Sequence, residues 1–595
     1  MINVSTKYFD AINAPMRRQM GFTVGVGVAN TEMANNSEYY DNGHMRYSNV
    51  NGLKNLYAIN KIYTTAEPNM YILDGLHEIT PERDNFQGYV SSAVSGDDGN
   101  FAVAPTIIIS SDGTYDLIGL TLKFDEENND YPTEFDIIYY GTNENILRTK
   151  QVRNNTMTLF IDDTETTNVN KIELKFYKTH NYGRRVRVTG ITLGIYQEFY
   201  GGGVSENSIV TMKHETEISP LSKEIPMNNF SFTINDAKAN YNAENPTGIW
   251  KYTKRGQIVT LKYIQNISET EKEEVVGGRF YLTERPSTSS TDANFSAVSR
   301  IEMMEQTYNE GTYYPNGRSF KSLFEDVFTF CGISNGEYEL DPNLANLVTM
   351  IPLPIESGKV CLQLLCQACG KIAFEDTSGK IWIKDNNDVI DDYSLTLGQN
   401  YTYPRYSEET AEVRDIILKK YTTSVEAESS EIAKTSFTLK STSDITISYN
   451  LSTNHSYTIE GGEVLSGNFY GRCCKLRIKP NGTGEITMII SGNKIEETAT
   501  EVVYNVGENG YDCELDFRML SDNDMADDLY IMYRKYLLES KRYEIDYRGN
   551  PELRSNDIIQ INTRFAEEIN SMILKSSFEW NNGASGSLTL KNFSS

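Results

Sequence analysis

Tryptophan and histidine are scarce in this 595-residue chain. There are three tryptophans, Trp250, Trp382 and Trp580, and five histidines, His44, His77, His180, His214 and His455. A long sugar-cleaving cleft usually has indole platforms, and three are few for one. The histidines are dispersed and form neither H-E-x-x-H nor H-x-H, so they read as loop or interface residues. A Walker A loop is missing, and so is a G-x-S-x-G nucleophile elbow; "GASGS" around Ser585 has the wrong spacing. No window approaches the about 18 apolar residues of a membrane-spanning helix. The start, "MINVSTKYFDAINAPMRRQ", lacks the apolar core of a signal peptide, so the expectation is a chain made in a cytoplasm. Positive charge is also short: Lys+Arg 55 against Asp+Glu 82, a net charge of −27. That argues against a duplex-binding protein, which needs a basic face to displace counterions. It leaves open a smooth acidic channel through which nucleic acid passes without sticking.

Cysteine is neither absent nor patterned. Seven cysteines are an odd number in a chain too long to need disulfide staples. Cys361, Cys366 and Cys369 fall in "KVCLQLLCQACG". Cys366-x-x-Cys369 fits metal or redox chemistry. No second pair stands at the spacing of a zinc ribbon, and Cys473 and Cys474 are adjacent and far along the chain. The alternative is a helix ending at Gly370, with Leu362, Leu365, Cys366 and Cys369 as its apolar face. Two acidic runs, Asp385–Ser394 and Ser521–Asp528, could hold Ca²⁺ but lack the spaced ligands and glycine of an EF-hand. They read as a solvated turn and a helix N-cap.

What is abundant is strand chemistry. Tyrosine alone numbers 39, and short alternating segments rich in Tyr, Thr, Ile and Val recur along the chain. The fold class is mainly β with a few helices (α+β), in several domains. Residues 1–61 with 201–300 are expected to form one discontinuous barrel-like domain. Residues 62–200 are an inserted β-sandwich, with candidate strands "TIIIS", "LIGLTLKF", "EFDIIYYG", "TMTLFID", "KIELKFYK" and "RVRVTGITLGIY". Gly201 to Gly203 read as a flexible link after it. Residues 301–404 supply helices, including "RSFKSLFEDVFTFCGI", and a hairpin turning at Asp376–Gly379. Residues 405–520 read as a second sandwich, and 521–595 as a helix followed by closing strands.

The stretch "EIDYRGNPELRSNDIIQIN" gathers Arg548, Gly549, Asn550, Pro551 and Glu552 between two strands. Tyr543, Ile545 and Tyr547 share one face before it. Gly549 permits φ > 0 and Pro551 forces Asn550 out of helix, so the polar residues read as a turn and not as catalysis.

Two groups of residues carry a resemblance. "EISPLSKEIPMNNFSFTINDAKANYNAENPTGIWKYTKRGQIVTLKY" followed by "GRFYLTERPSTSSTDANFSAVSRIEMM", and "CQACGKIAFEDTSGKIWIK" with "YEIDYRGNPELRSNDIIQI" and "SSFEWNNGASGSLTL", together resemble tail-tip proteins of long-tailed phages and prophages of Gram-positive hosts, the baseplate-hub or tail-associated family. The likeness covers about residues 1–60 and 205–595. It implies hub-type β-barrel domains in a homotrimer with pseudo-sixfold symmetry, in the virion at the tail tip. It implies docking on the distal tail protein, with the tape-measure protein and receptor-binding or fibre proteins as neighbours and DNA passing through the lumen without specific binding. Family members often continue into a peptidase, lysozyme-like domain or fibre. This chain ends at Ser595, soon after the last hub strand, so wall cleavage is not expected of it. The insert, from "FDIIYYGTNENILRTKQVRNNTMTLFID" to "KIELKFYKTHNYGRRVRVTGITLGI", is similar to galactose-binding-like jelly rolls, which implies a host-surface glycan among the partners. Glycan contact would use loops of 62–200, no residue of which can be assigned, and a plain spacer is the alternative. No catalytic residue, cofactor or metal is expected. The competing reading is a carbohydrate-binding adhesin or carbohydrate-active enzyme built of β-sandwiches.

Overall fold

The computed structural model describes residues 2, 4–45, 48–54, 67, 88–126, 128–202, 208–246, 248–289, 291–386, 390–396, 398–408, 412–482 and 484–593. It is mainly β, with several sheets and few helices. Among the described residues no helix is long and apolar enough to cross a membrane.

The first barrel is built on "GFTVGVGVA". Strand Gly21–Ala29 pairs antiparallel with Gly194–Gly202 on one side and Ile258–Asn266 on the other. The sheet continues through Lys272–Leu282, Asp292–Val298 and Asn229–Asn235 to Ile209–Glu217. Side chains alternate across each strand. Phe22, Val24, Val26 and Val28 therefore point inward with Phe230, Phe232, Leu261 and Phe295. The ends of the sheet come together where the Ser208 N–H donates to the Tyr200 carbonyl at 2.8 Å.

Strand Ile209–Glu217 has a second neighbour, Ile569–Asn581. Through that pair the sheet runs on into a second barrel-like unit of Ala584–Asn592, Lys541–Tyr547 and Arg405–Glu408, with Ile558–Ile561 and Ile390–Leu395 on the other side. One 14-stranded sheet thus spans both units. The second keeps its own core of Leu395, Ile545, Ile559, Ile573, Leu588 and Leu590.

Between strands Gly21–Ala29 and Gly194–Gly202 the chain leaves to form a β-sandwich. A five-stranded sheet in the order Ser37–Asp41, Thr106–Leu117, Thr166–Thr179, Pro132–Tyr140, Ile146–Val152 shares one core with strands Leu120–Lys123, Leu159–Asp162 and Gly190–Thr192. Exit and return lie side by side, since the Asn30 N–H donates to the Leu193 carbonyl at 2.8 Å. The expected boundary at residues 61 and 62 lies outside the described residues. On either side of it the pairing differs from the sequence expectation. Met33, Ala34, Tyr39, Val50 and Leu53 are buried in the sandwich core, not the barrel. "RVRVTGITLGIY" is not one strand: Arg187–Val188 and Gly190–Thr192 stay in the sandwich, and Gly194–Gly202 belongs to the barrel. Gly201 and Gly202, expected as a flexible link, pair with Phe22 and Gly21; Gly203 lies outside the described residues.

The helices form a third core. Ser319 and Ser357 cap Phe320–Phe330 and Gly358–Cys369, accepting from the N–H groups of Ser322 and Val360. Gly370, with φ of 67°, ends the second. Phe320, Phe324, Val327 and Phe328 pack with Cys361, Leu362, Leu365 and Cys366. Full burial of each large side chain contributes about 1.5–3 kcal/mol. Strands from the segment expected as a second sandwich enter this core as well, through Ile416, Leu418, Cys513 and Leu515. The outer part keeps a small core of its own around Leu476, Ile478, Met488 and Ile490, and strand Ile486–Asn505 runs through both. Strand Arg405–Glu408, counted with that sandwich from sequence, pairs instead with Lys541–Tyr547.

Candidate functional site

The polar turn after Tyr547 is where distant parts of the chain meet. Tyr543, Ile545 and Tyr547 are buried on one face of strand Lys541–Tyr547, as their alternation predicts. Gly549 takes φ of 73°. The side chains that follow are not solvated: Asn550 and Glu552 are both 3% exposed. Asn550 Oδ1 accepts from the Tyr8 hydroxyl at 3.2 Å. Its Nδ2 donates to Glu552 Oε2 at 3.1 Å and to the Tyr393 hydroxyl at 3.4 Å. Arg17 donates to the carbonyls of Gly549 and Arg548 at 2.5 and 2.6 Å, and Arg548 returns a bond to the Ala14 carbonyl at 2.9 Å. Burial raises the Glu552 carboxyl pKa, against the Asn550 hydrogen bond. The turn therefore fastens the N-terminal helix Thr6–Asn13 onto the closing strands.

Beyond it, the first barrel's mouth is left open as a polar cavity of about 570 Å³ against the hairpin Ile372–Lys384 and residues 554–557. His214 lines it from the barrel core. Its Nδ1 lies 2.8 Å from the Tyr263 hydroxyl, and burial, then the Arg554 guanidinium, holds its pKa well below the ordinary value. Glu375 on the hairpin accepts from the Ile301 N–H at 2.6 Å, and burial lifts its pKa to about 7. A second, polar cleft of about 400 Å³ separates insert from barrel, between Asn30, Tyr115, Asp116 and Asn168 on one side and Lys251 and Tyr252 on the other.

The other sequence candidates do not converge. Among the described residues no group of three or more His, Cys, Asp or Glu side chains could hold a metal. Cys361 and Cys366 sit in the helical core, and burial pushes the Cys361 and Cys369 thiols to about 12 and Cys366 well above its ordinary value. Cys473 and Cys474 are buried in the outer sandwich. Thiols held protonated are poor metal ligands and poor nucleophiles. His44 pairs with Asp41, His180 stacks on Tyr131 and His455 on Phe469; His77 lies outside the described residues. Trp250 lies under Arg285, Trp382 donates to Asp376, and Trp580 is buried against Phe22. Asp522 caps helix Asn523–Leu538, accepting from the Asp524 N–H at 2.7 Å. Asp385 accepts from Lys371, and residues 387–389 of that acidic run lie outside the described residues. His214, Glu375 and Arg554 were not distinguished by sequence reasoning. One signal was available: in "IVTMKHETE" the alternation that buries Met212 also buries His214.

No family model and no curated protein matches the sequence. The structure is similar to a 43 kDa tail protein of prophage MuSo2 from Shewanella oneidensis, at 12% identity and TM-score 0.37, covering 66% of this chain and 95% of that one. It is also similar to a tail protein from Neisseria meningitidis MC58, at 8% identity and TM-score 0.38, over 65% and 92%. A third is prophage tail protein gp18 from Listeria monocytogenes EGD-e, at 9% identity and TM-score 0.32, over 66% and 91%.

Proposed function

We propose that this chain is a structural component of a phage tail tip. It forms the central hub that caps or continues the tail tube, docks on the distal tail ring and supports host attachment and DNA ejection. The observation that carries the reading is the pair of barrel-like units fused into one sheet across strands Ile209–Glu217 and Ile569–Asn581. Three such chains would place six similar units around one axis, the match a trimer needs to sit on a sixfold ring. A net charge of −27 suits a lumen through which DNA slides. In this reading the tape-measure protein and the receptor-binding or fibre proteins are neighbours, and the working location is the virion. The role needs no catalytic residue, cofactor or metal.

The insert is proposed to reach host-surface glycan. Its support is the way it hangs from two adjacent strands with its own core, so its loops can vary without disturbing the barrel. The test is native mass spectrometry of the purified chain with and without the distal tail protein, followed by imaging of the assembled particle. A ring of three copies seated on the distal ring is expected. A monomer that stays apart from that ring and cleaves a glycan would overturn the proposal. A glycan array separates the second role: signal lost on deletion of residues 30–193 supports it, and an array without signal refutes it.

A further inference from the structure

We propose that the mouth of the first barrel is a binding site for a small oxyanion, free phosphate or a phosphomonoester, held by His214, Arg554, Arg279 and Lys384. A cavity of about 570 Å³ is within the range of small-molecule sites, and barrel mouths are a common place for them.

His214 is 5% exposed and its Nε2 has no hydrogen-bond partner. The ring is fixed by Phe280, 5.2 Å away edge-on, and by the Tyr263 hydroxyl on Nδ1. Burial keeps the Tyr263 phenol protonated. The tautomer that satisfies both groups has the phenol donating to Nδ1, which leaves the N–H on Nε2 as a buried donor without a partner in a residue of the cavity wall. The Arg554 guanidinium adds a positive charge to the wall: its Nη2 donates to the Gly277 carbonyl at 2.6 Å and to the Val276 carbonyl at 3.3 Å, while Nε is buried without a partner. Gly277 is the extra residue of a bulge, where the register of strand Lys272–Leu282 jumps from Gly278 to Val276 opposite Leu261 and Lys262. Bulges of this kind re-aim groups beside sites. Arg279 and Lys384 add two more cations to the wall.

The wall also has carboxylates, but these have backbone donors of their own. Asp376 accepts from the N–H groups of Ser378 and Lys380, Asp391 from Ile558 and Asp557 from Arg554. Glu375 differs. One oxygen accepts from the Ile301 N–H, the other is buried, and Ser299 and the Arg300 guanidinium stand beside the carboxyl and oppose the rise in its pKa. Protonated, that oxygen becomes a further donor, and a neighbouring anion favours the proton. A buried donor left unmade costs about 1–3 kcal/mol, and an oxyanion meets several with charge-assisted bonds.

The test is calorimetry on the full chain with inorganic phosphate, AMP and adenosine at matched ionic strength. Saturable binding of phosphate or AMP and none of adenosine is expected. Equal affinity for phosphate and AMP identifies the free anion as sufficient; tighter AMP binding identifies a phosphomonoester. The ligand itself gains a proton between pH 8 and pH 6; after that titration is subtracted, binding should still tighten over this window, and Glu375→Gln should remove the remainder. His214→Gln sits in a packed core and can fail to fold, so Lys384→Gln and Arg279→Gln carry the test, each weakening binding about tenfold. A folded chain that takes up neither phosphate nor AMP overturns the proposal, as does unchanged affinity in both variants.

Discussion

Replacing Gly549 separates backbone strain from packing. Gly549 and Gly332 have nearly the same left-handed φ, 73° and 70°. A side chain at either meets the same backbone penalty, about 1–2 kcal/mol. Their surroundings differ. A Cβ on Gly332 would meet nothing within 4 Å. On Gly549 it would lie 3.0 Å from Phe578 Cε2 and 3.1 Å from the Ser585 carbonyl carbon and oxygen. A buried ring and a paired backbone would have to shift, and overpacking of that kind costs about 1–3 kcal/mol more. The shift would also disturb the carbonyl that receives Arg17. Gly549→Ala should therefore cost about 2–5 kcal/mol and Gly332→Ala about 1–2 kcal/mol, with Gly549→Val worse than either. Urea unfolding followed by a single tryptophan reads each unit: Trp580 for the barrel core and Trp382 for the hairpin beside the helical core, with the other tryptophans changed to Phe. Equal losses at Gly549 and Gly332 would refute the claim that the turn is a packed junction.

Glu375 gives a pH signature. Its folded pKa, about 7, lies above the usual carboxylate range, so the folded chain holds a proton that the unfolded chain has released. Stability is greatest below the unfolded value near 4.5 and falls as pH rises to about 7, by up to about 3 kcal/mol. Glu375→Gln should flatten the urea midpoint across that window and raise it at pH 8; a parallel pH profile would contradict this. Cys361 and Cys366 should resist iodoacetamide at pH 8 until urea is added, and mass spectrometry showing prompt native labelling would contradict their burial. Chelators should leave the melting temperature unmoved if Cys366-x-x-Cys369 is only core. Asp522→Ala should cost about 1 kcal/mol through the lost helix cap, read by the midpoint of the unit containing helix Asn523–Leu538, and no change there would mean the cap is idle.

Local features were legible because they depend on neighbours in sequence. The alternation of "KIELKF" put Ile172, Leu174 and Phe176 inside, and all are buried. The apolar spacing of "RSFKSLFEDVFTFCGI" marked helix Phe320–Phe330, and Gly370 and Gly379 marked a cap and a turn. Boundaries were less legible where one continuous pattern serves two sheets. "RVRVTGITLGIY" reads as one strand, yet the chain passes from sandwich to barrel at Leu193 and Gly194. Ser37–Asp41 has the pattern of an edge strand, but nothing local says that its partner is Thr106–Leu117.

The sequence by itself determined the β-rich class, the main helices, the helix end at Gly370, the acidic cap before helix Asn523–Leu538, the tight turns and the acidic balance, since each follows from propensity, period or charge within a short window. Tertiary structure alone decided that strands Ile209–Glu217 and Ile569–Asn581, more than 350 residues apart, join two barrel-like units in one sheet. It also decided that "RGNPELRSND" is a buried fastening and not a surface turn, and that His214, Glu375 and Arg554 face one cavity. The physical reason is the same in each case. Pairing and burial between distant segments depend on which surfaces meet, and a strand's alternation says which face turns inward but not what it will find there.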